Sequence, residues 1–161
     1  VKENGAMLAM ACECNSRLNF IDPKNGAALN VAAVGRKIAC AGAKALAISD
    51  CLNYGNPQNP EVMWQFAQGC EGIKEACKAL NTPVVSGNVS LYNESEGVSI
   101  YPSPTIVGVG LNANAQNALK SCFSDENIPV YLLGETRGEF AGSLIAKVQD
   151  KAVAGRLGEC D

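Results

Sequence analysis

Histidine is absent from all 161 residues, and this limits the chemistry open to the chain. Imidazole is the one side chain that ordinary surroundings leave half-protonated near neutral pH, and acid–base enzymes recruit it most often. A catalytic base, if the reaction needs one, is therefore expected from elsewhere. A zinc site would have to be built from cysteine alone. The eight cysteines, Cys12, Cys14, Cys40, Cys51, Cys70, Cys77, Cys122 and Cys160, include no C-x-x-C pair, so their spacing is not that of such a site. Most stand in apolar runs such as "KIACAGAKALA" and "GIKEACKAL", where a thiol packs as a small hydrophobe. The expectation is reduced, structural thiols in a cytoplasmic compartment.

Positive charge is also scarce. Thirteen Lys and Arg against sixteen Asp and Glu give a net charge of −3, which leaves no basic surface for a nucleic-acid backbone. No apolar run reaches the roughly 18 to 20 residues that span a bilayer, so no membrane partner is expected. The opening "VKENGAML" lacks the basic and apolar regions of a signal peptide. No G-x-x-x-x-G-K-[ST] occurs, and "GVGLNANA" is not followed by the helix that a dinucleotide fingerprint requires. The first residue is not Met, and "AVAGRLGECD" stops where a helix could be under way; both features are expected of a piece of a longer polypeptide.

What is present is an alternation of strand and helix patterns. "GAMLAMACEC" (5–14) is a continuous apolar run, read as a strand. A helix follows with Asp22 as N-cap and Pro23 at its first position. Ala27, Val31, Val34, Ile38 and Ala41 repeat at helical spacing, and Gly42 stops it. "AKALAISDCLN" (43–53) reads as a buried strand running into "NYGNPQNP". The next helix is capped by Asn59, with Pro60 and Glu61 in its first turn and an apolar face of Val62, Phe66, Gly69, Ile73, Ala76 and Leu80. "PVVSGNVSLYN" and "PTIVGVGLN" are strands separated by "ESEGVSIYPSP", a hairpin or loop. "NANAQNALKSCFSDENIP" supplies a short helix and linker. "VYLLGE" (130–135) is expected to be a new buried strand, and "TRGEFAGS" to open another domain. The order predicts a mixed α/β layer with helices on one face of the sheet, divided as residues 1–114, a linker at 115–127, and the start of a second domain at 128–161.

Two polar clusters fall at strand ends, "SDCLNYGNP" (49–57) and "SGNVSLYNE" (86–94). Strand ends are where α/β sheets hold ligands, although Asp, Asn, Gly, Ser and Pro are equally the ordinary residues of turns. Asp50 suits a magnesium ion or a ribose, and Asn53 and Asn56 suit a base or a bridging water. Gly87 lets backbone N–H groups approach an anion that a Cβ would obstruct. Asn88 offers a neutral oxygen to a hard cation, and Ser90 a hydroxyl to a substrate. Trp64 reads as core or interface. Arg17 and Arg137 could meet phosphates but read as solvated, and Glu94 and Glu96 read as facing water.

"ALAISDCLNYGNPQNPEVMWQF", then "ACKALNTPVVSGNVSLYNE", then "PSPTIVGVGL" together resemble the large synthetase subunit of phosphoribosylformylglycinamidine synthase, over nearly the whole chain. The part resembled is the first domain of that family's second homologous half, plus the start of the domain after it. The resemblance implies an aminoimidazole-ribonucleotide-synthetase-like N-terminal domain, an α/β (α+β) fold with a four-stranded mixed sheet and helices on one face. Two such domains, one from each half, would pair into a barrel-like core. It also implies an ATP-dependent ligase that converts formylglycinamide ribonucleotide (FGAR) and ammonia to the formylglycinamidine nucleotide (FGAM) in purine biosynthesis.

Matched by motif, Asp50 and Gly87 contact ATP, Asn88 is a ligand of Mg2+, Ser90 contacts the substrate, and Asn15 has a weaker nucleotide role. No catalytic residue is implied, because the family's histidine base and acidic magnesium ligands belong to the first half. Implied partners are that first half, a glutaminase subunit and a small accessory subunit; an isolated piece with an exposed sheet edge is expected to form a homodimer. Tyr54 departs from the Phe common in the family. Two further readings are a half-barrel scaffold whose nucleotide is mainly stabilising, and another ATP-using synthetase of the same fold.

Overall fold

Each long helix begins on a side chain that satisfies its first amides. In the computed structural model, which describes residues 1, 3–135, 137–138, 140–149 and 151–158, Asp22 Oδ1 accepts from the Asn25 amide at 3.0 Å. Pro23 then opens α2 (Pro23–Cys40), where its missing N–H costs nothing. Asn59 Oδ1 accepts from the Glu61 amide at 2.9 Å and starts α3 (Pro60–Leu80). Gly42, at φ +79, ends α2 in the left-handed conformation that glycine adopts without strain. Asn81 does the same for α3 at φ 53.

The strands β1 (Met7–Glu13), β2 (Lys44–Asn53), β3 (Val84–Ser90) and, after a small hairpin, β6 (Ser103–Asn112) form one sheet in the order β1-β6-β2-β3. β6 pairs antiparallel with both β1 and β2, and β2 pairs parallel with β3 through the α3 crossover. The segment between β3 and β6 forms the two-residue strands β4 (Glu94–Ser95) and β5 (Val98–Ser99), paired around Gly97. This is the hairpin alternative of the sequence reading.

Val31, Val34 and Ile38 of α2 are about 1% exposed and meet Ile48, Leu52 and Ile106 of the sheet. Gly108 and Gly110 of β6 lie beneath Val34 and Ile38, which a Cβ at either glycine would overlap. The glycines of "GVGLN" thus let α2 sit close on the sheet. Among the described residues no helix covers the opposite sheet face. Leu8 and Met10 of β1 are 57% and 72% exposed there, beside the β6 residues that alternate away from the core.

Several features depart from the sequence reading. The α3 face is rotated: Val62, Gly69 and Ile73 are buried as expected, but Gln65, Gly72 and Cys77 join them while Leu80 is largely exposed. Gly72 lies against the Lys24 backbone with no room for a Cβ, so the contact line follows the small residues. A short helix α1 (Ser16–Ile21) was not expected; Asn15 caps it. The "VYLLGE" segment forms no strand, and Val130, Tyr131, Leu132 and Leu133 are 76% to 94% exposed. An apolar run becomes a strand only when a second strand completes its ladder, and no described residue pairs with this one. Residues 152–158 are irregular rather than helical, and the only regular element after a 3-10 turn at Ala115–Asn117 is α4 (Leu144–Val148), among the described residues. Thr136 and Glu139 of "TRGEFAGS" lie outside the described residues.

Trp64 stands outside the core at 56% exposed. The thiols divide as well. Cys77 is buried, Cys51 and Cys70 are half-buried, and Cys12, Cys14, Cys40 and Cys122 are exposed. The apolar runs misled here because Cys12 falls on the helix-free face of an edge strand and Cys40 on the last residue of α2. All seven described cysteines are free; Cys160 lies outside the described residues.

Asn30, about 1% exposed, ties these layers together. Its Oδ1 accepts from the Asn15 amide at 3.1 Å, and its Nδ2 donates to Pro104 O at 3.1 Å. Asn30→Ala leaves both partners without their bond and is expected to cost about 2 kcal/mol, read as a lower midpoint in urea unfolding with an unchanged slope.

Candidate functional site

Side chains alternate across a strand, and the register of β2 with β3 assigns each predicted residue to a face. Ile48 and Leu52 are buried beneath the helices, so Asp50 between them is on the helix face. It pairs with Gly87 on one side and with the fully buried Ile106 on the other. A Cβ at Gly87 would overlap Asp50 Oδ1. Here the glycine is required by a close approach, since its bare backbone forms the wall beside the carboxylate. Cys51 and Asn53 alternate to the open face, together with their partners Asn88 and Ser90.

The predicted residues therefore form two sets. Asp50 and Gly87 are brought together on the helix face. Ser86, Asn88 and Ser90 line the open face, where Ser86 Oγ is 2.8 Å from Ser49 Oγ and Asn88 Nδ2 lies 3.9 Å from Cys51 Sγ. Asn15 belongs to neither set. It follows β1, at the opposite edge of the sheet from β3, and its Oδ1 accepts from the Leu18 amide at 3.4 Å as the cap of α1. Asn56 Oδ1 accepts from the Gln58 amide at 2.9 Å within its own turn. Asn53 Nδ2 donates to Cys51 O at 3.1 Å.

Burial raises the Asp50 carboxyl above its ordinary value, because desolvation disfavours the charged form. Burial likewise raises Cys70 and Cys77 of α3, with the Asp50 charge adding to both. Tyr54, 1% exposed, is raised chiefly by burial and packs edge-on to Phe66 at 5.2 Å. Burial is the cause of the Asp50 shift, with no cation opposing it.

The loops after β2 and β3 are laced to each other. Asn93 Nδ2 donates to Tyr54 O at 2.9 Å and to Ser90 O at 2.8 Å, and the Asn93 amide donates to Tyr54 O at 3.1 Å. Ser90 Oγ donates to Asn93 Oδ1 at 3.4 Å. Glu94, expected to face water, is exposed, but its Oε1 accepts from the Asn56 amide at 3.3 Å and from Ser99 Oγ at 3.0 Å. The two clusters are one structure. The lacing role of Asn93 was missed because its main partner, Tyr54, lies on the other loop.

The donor set suits a nucleotide better than a complete metal shell. The Asp50 carboxylate itself occupies the space that a Cβ at Gly87 would take, and a carboxylate in that position suits a ribose hydroxyl. Asn88 supplies one neutral oxygen, on the face opposite Asp50, and no group of three His, Cys, Asp or Glu side chains converges among the described residues. No described helix is long and apolar enough to cross a membrane.

A mixed four-stranded sheet with helices on one face and a parallel strand pair joined by a helical crossover defines an α/β domain. Residues 2–111 match the family model "AIR synthase related protein, N-terminal domain", and the chain belongs to that family. Along its entire length it is 74% identical to phosphoribosylformylglycinamidine synthase subunit PurL of Campylobacter jejuni, of which it spans 22%. Structures of Thermotoga maritima PurL complexed with ATP, complexed with FGAR, and in PurLQS match at 31% identity. Their TM-scores are 0.65, 0.67 and 0.69 over 70%, 73% and 76% of this chain, which spans 19%, 19% and 20% of theirs.

The raised Asp50 carboxyl has a stability consequence. Its native form binds a proton more tightly than the unfolded form, so its contribution is present at acid pH and lost as pH rises through the native value. Asp50→Asn is expected to melt higher than the parent at pH 7, with the gap closing near pH 3. Parallel melting curves across that range would contradict the desolvation.

Proposed function

We propose that this chain is the nucleotide-holding part of an ATP-dependent carbon–nitrogen ligase that converts FGAR to FGAM in purine biosynthesis. One observation carries the reading: the Asp50–Gly87 register pair, a carboxylate against a wall without a Cβ, occurs in a chain similar to PurL throughout. Asp50 and Gly87 hold the nucleotide, Asn88 gives one oxygen to Mg2+, and Ser90 touches the substrate. Asn88 faces away from Asp50, so the other ligands of the ion are supplied on the open face by water and a second segment. ATP, when bound, supplies the phosphoryl group that activates the FGAR amide oxygen. The chain's own residues bind and orient; it has no imidazole to move a proton, and we infer that it is inactive alone.

The rest of the assembly follows the same reading. The helix-free face, with Leu8 and Met10 exposed, packs on the homologous first half of the polypeptide, or on a second copy when the chain is alone. A glutaminase subunit and a small accessory subunit complete the enzyme, a reading that the T. maritima PurLQS structure supports. We place the domain at 1–114, a linker at 115–127 and the start of the next domain at 128–161, and the protein in the cytoplasm.

Gly87→Val adds a β-branched group whose Cβ displaces the Asp50 carboxylate, the end of a side chain that can rotate away. It is expected to weaken ATP binding at least tenfold by calorimetry, with the circular dichroism spectrum unchanged. Unaltered affinity would overturn the assignment. The unmodified chain with FGAR, ATP and ammonia should form no FGAM; robust turnover would contradict its role as a part.

A further inference from the structure

Cys40 and Cys122 are both exposed and free, and both border one cavity of about 860 Å³. Cys40 is the last residue of α2, whereas Cys122 belongs to the irregular segment after β6. Two contacts bring that segment to the end of the helix. The Leu119 amide donates to Ala41 O at 3.3 Å, and Asn117 O and the Leu119 side chain crowd the space that a Cβ at Gly42 would take. Ala41 follows Cys40 directly, and Leu119 stands three residues before Cys122. Leu119, Phe123 and Ile128 give the cavity an apolar lining, and Lys120 is the charged group on its border.

The other exposed thiols of the described residues are remote from this pair. α2 finishes at the sheet end where Lys44 pairs with Leu111 and Met7 pairs with Asn112. Cys12 lies five residues along β1 from Met7, roughly 16 Å away at about 3.3 Å per residue, and Cys14 lies farther along the chain.

We propose that Cys40 and Cys122 form a reversible disulfide by exchange with a small-molecule disulfide. The Cys122 thiolate attacks one sulfur of that oxidant, which gives a mixed disulfide and releases one small thiolate; this takes up the proton that Cys122 lost. The Cys40 thiolate then attacks the Cys122 sulfur, closes the protein disulfide and expels the second small thiolate, which takes up the Cys40 proton. Two cysteine thiols are oxidised and one disulfide is reduced to two thiols, so hydrogens and electrons balance. The cavity admits the oxidant, and Lys120 suits a carboxylate carried by it.

A disulfide needs Cα atoms within about 7 Å of each other. No helix or strand contains residues 118–130, so Cys122 can close on Cys40 without breaking regular structure. Exposed disulfides are the labile and exchangeable ones, and in a reducing compartment such bonds are transient or redox-sensing. The bond fastens the segment after β6 to the end of α2. Neither Asp50 nor Gly87 borders the cavity, so the inference stands whether or not the nucleotide reading does.

Incubation of the chain with glutathione disulfide, followed by blocking of the remaining thiols and peptide mapping without reductant, tests the proposal. The expected product is one linked pair of peptides carrying Cys40 and Cys122, with the loss of two hydrogens, and dithiothreitol should reverse it. Cys40→Ser and Cys122→Ser should each abolish the link, whereas Cys12→Ser should form it to within twofold of the parent. Glutathione adducts on both Cys40 and Cys122 with no link between them would overturn the proposal, as would a link from either one to a different cysteine.

Discussion

The parallel pairing of β2 with β3 is the constraint on which the site depends. Because side chains alternate, one register decides which groups can meet a common ligand. Asp50 opposite Gly87 and Leu52 opposite Val89 fall on the helix side; Cys51 opposite Asn88 and Asn53 opposite Ser90 fall on the other. A slip of one residue would exchange the two sets. The lacing of Tyr54, Ser90 and Asn93 beyond the strand ends holds that register, and the α3 crossover makes the parallel arrangement possible.

The two faces have different physical characters. On the helix face, α2 descends onto the glycines of β6 and closes a core around Ile106, which is fully buried. Asp50 sits at the margin of that core, desolvated enough to raise its carboxyl without being sealed from water. The open face carries exposed Leu8 and Met10 near one edge and the polar row of Ser86, Asn88 and Ser90 near the other.

Much of this was legible in the sequence where a local rule had a local cause. Asp22 and Asn59 cap α2 and α3 because their carboxylate and amide reach amides two or three residues ahead, and the helix spacing of Val31, Val34 and Ile38 named the core. What failed depended on distant partners. The α3 stripe rotated because Gly72 meets Lys24, and "VYLLGE" formed no strand for want of a second one. The nucleotide role expected of Asn15 gains no geometric support, since its carbonyl caps a helix too short for its pattern to announce. The candidate site residues were chosen by their chemical types, but their division between two faces required the register, which single-strand patterns do not contain.

A crystal structure of the chain with a non-hydrolysable ATP analogue addresses the central claim most directly. The account predicts density for the analogue against the Gly87 backbone and within hydrogen-bonding distance of the Asp50 carboxylate, on the helix face of the β2–β3 pair. Density confined to the Leu8–Met10 side of the sheet, or an unchanged Asp50–Gly87 site at saturating analogue, would contradict it.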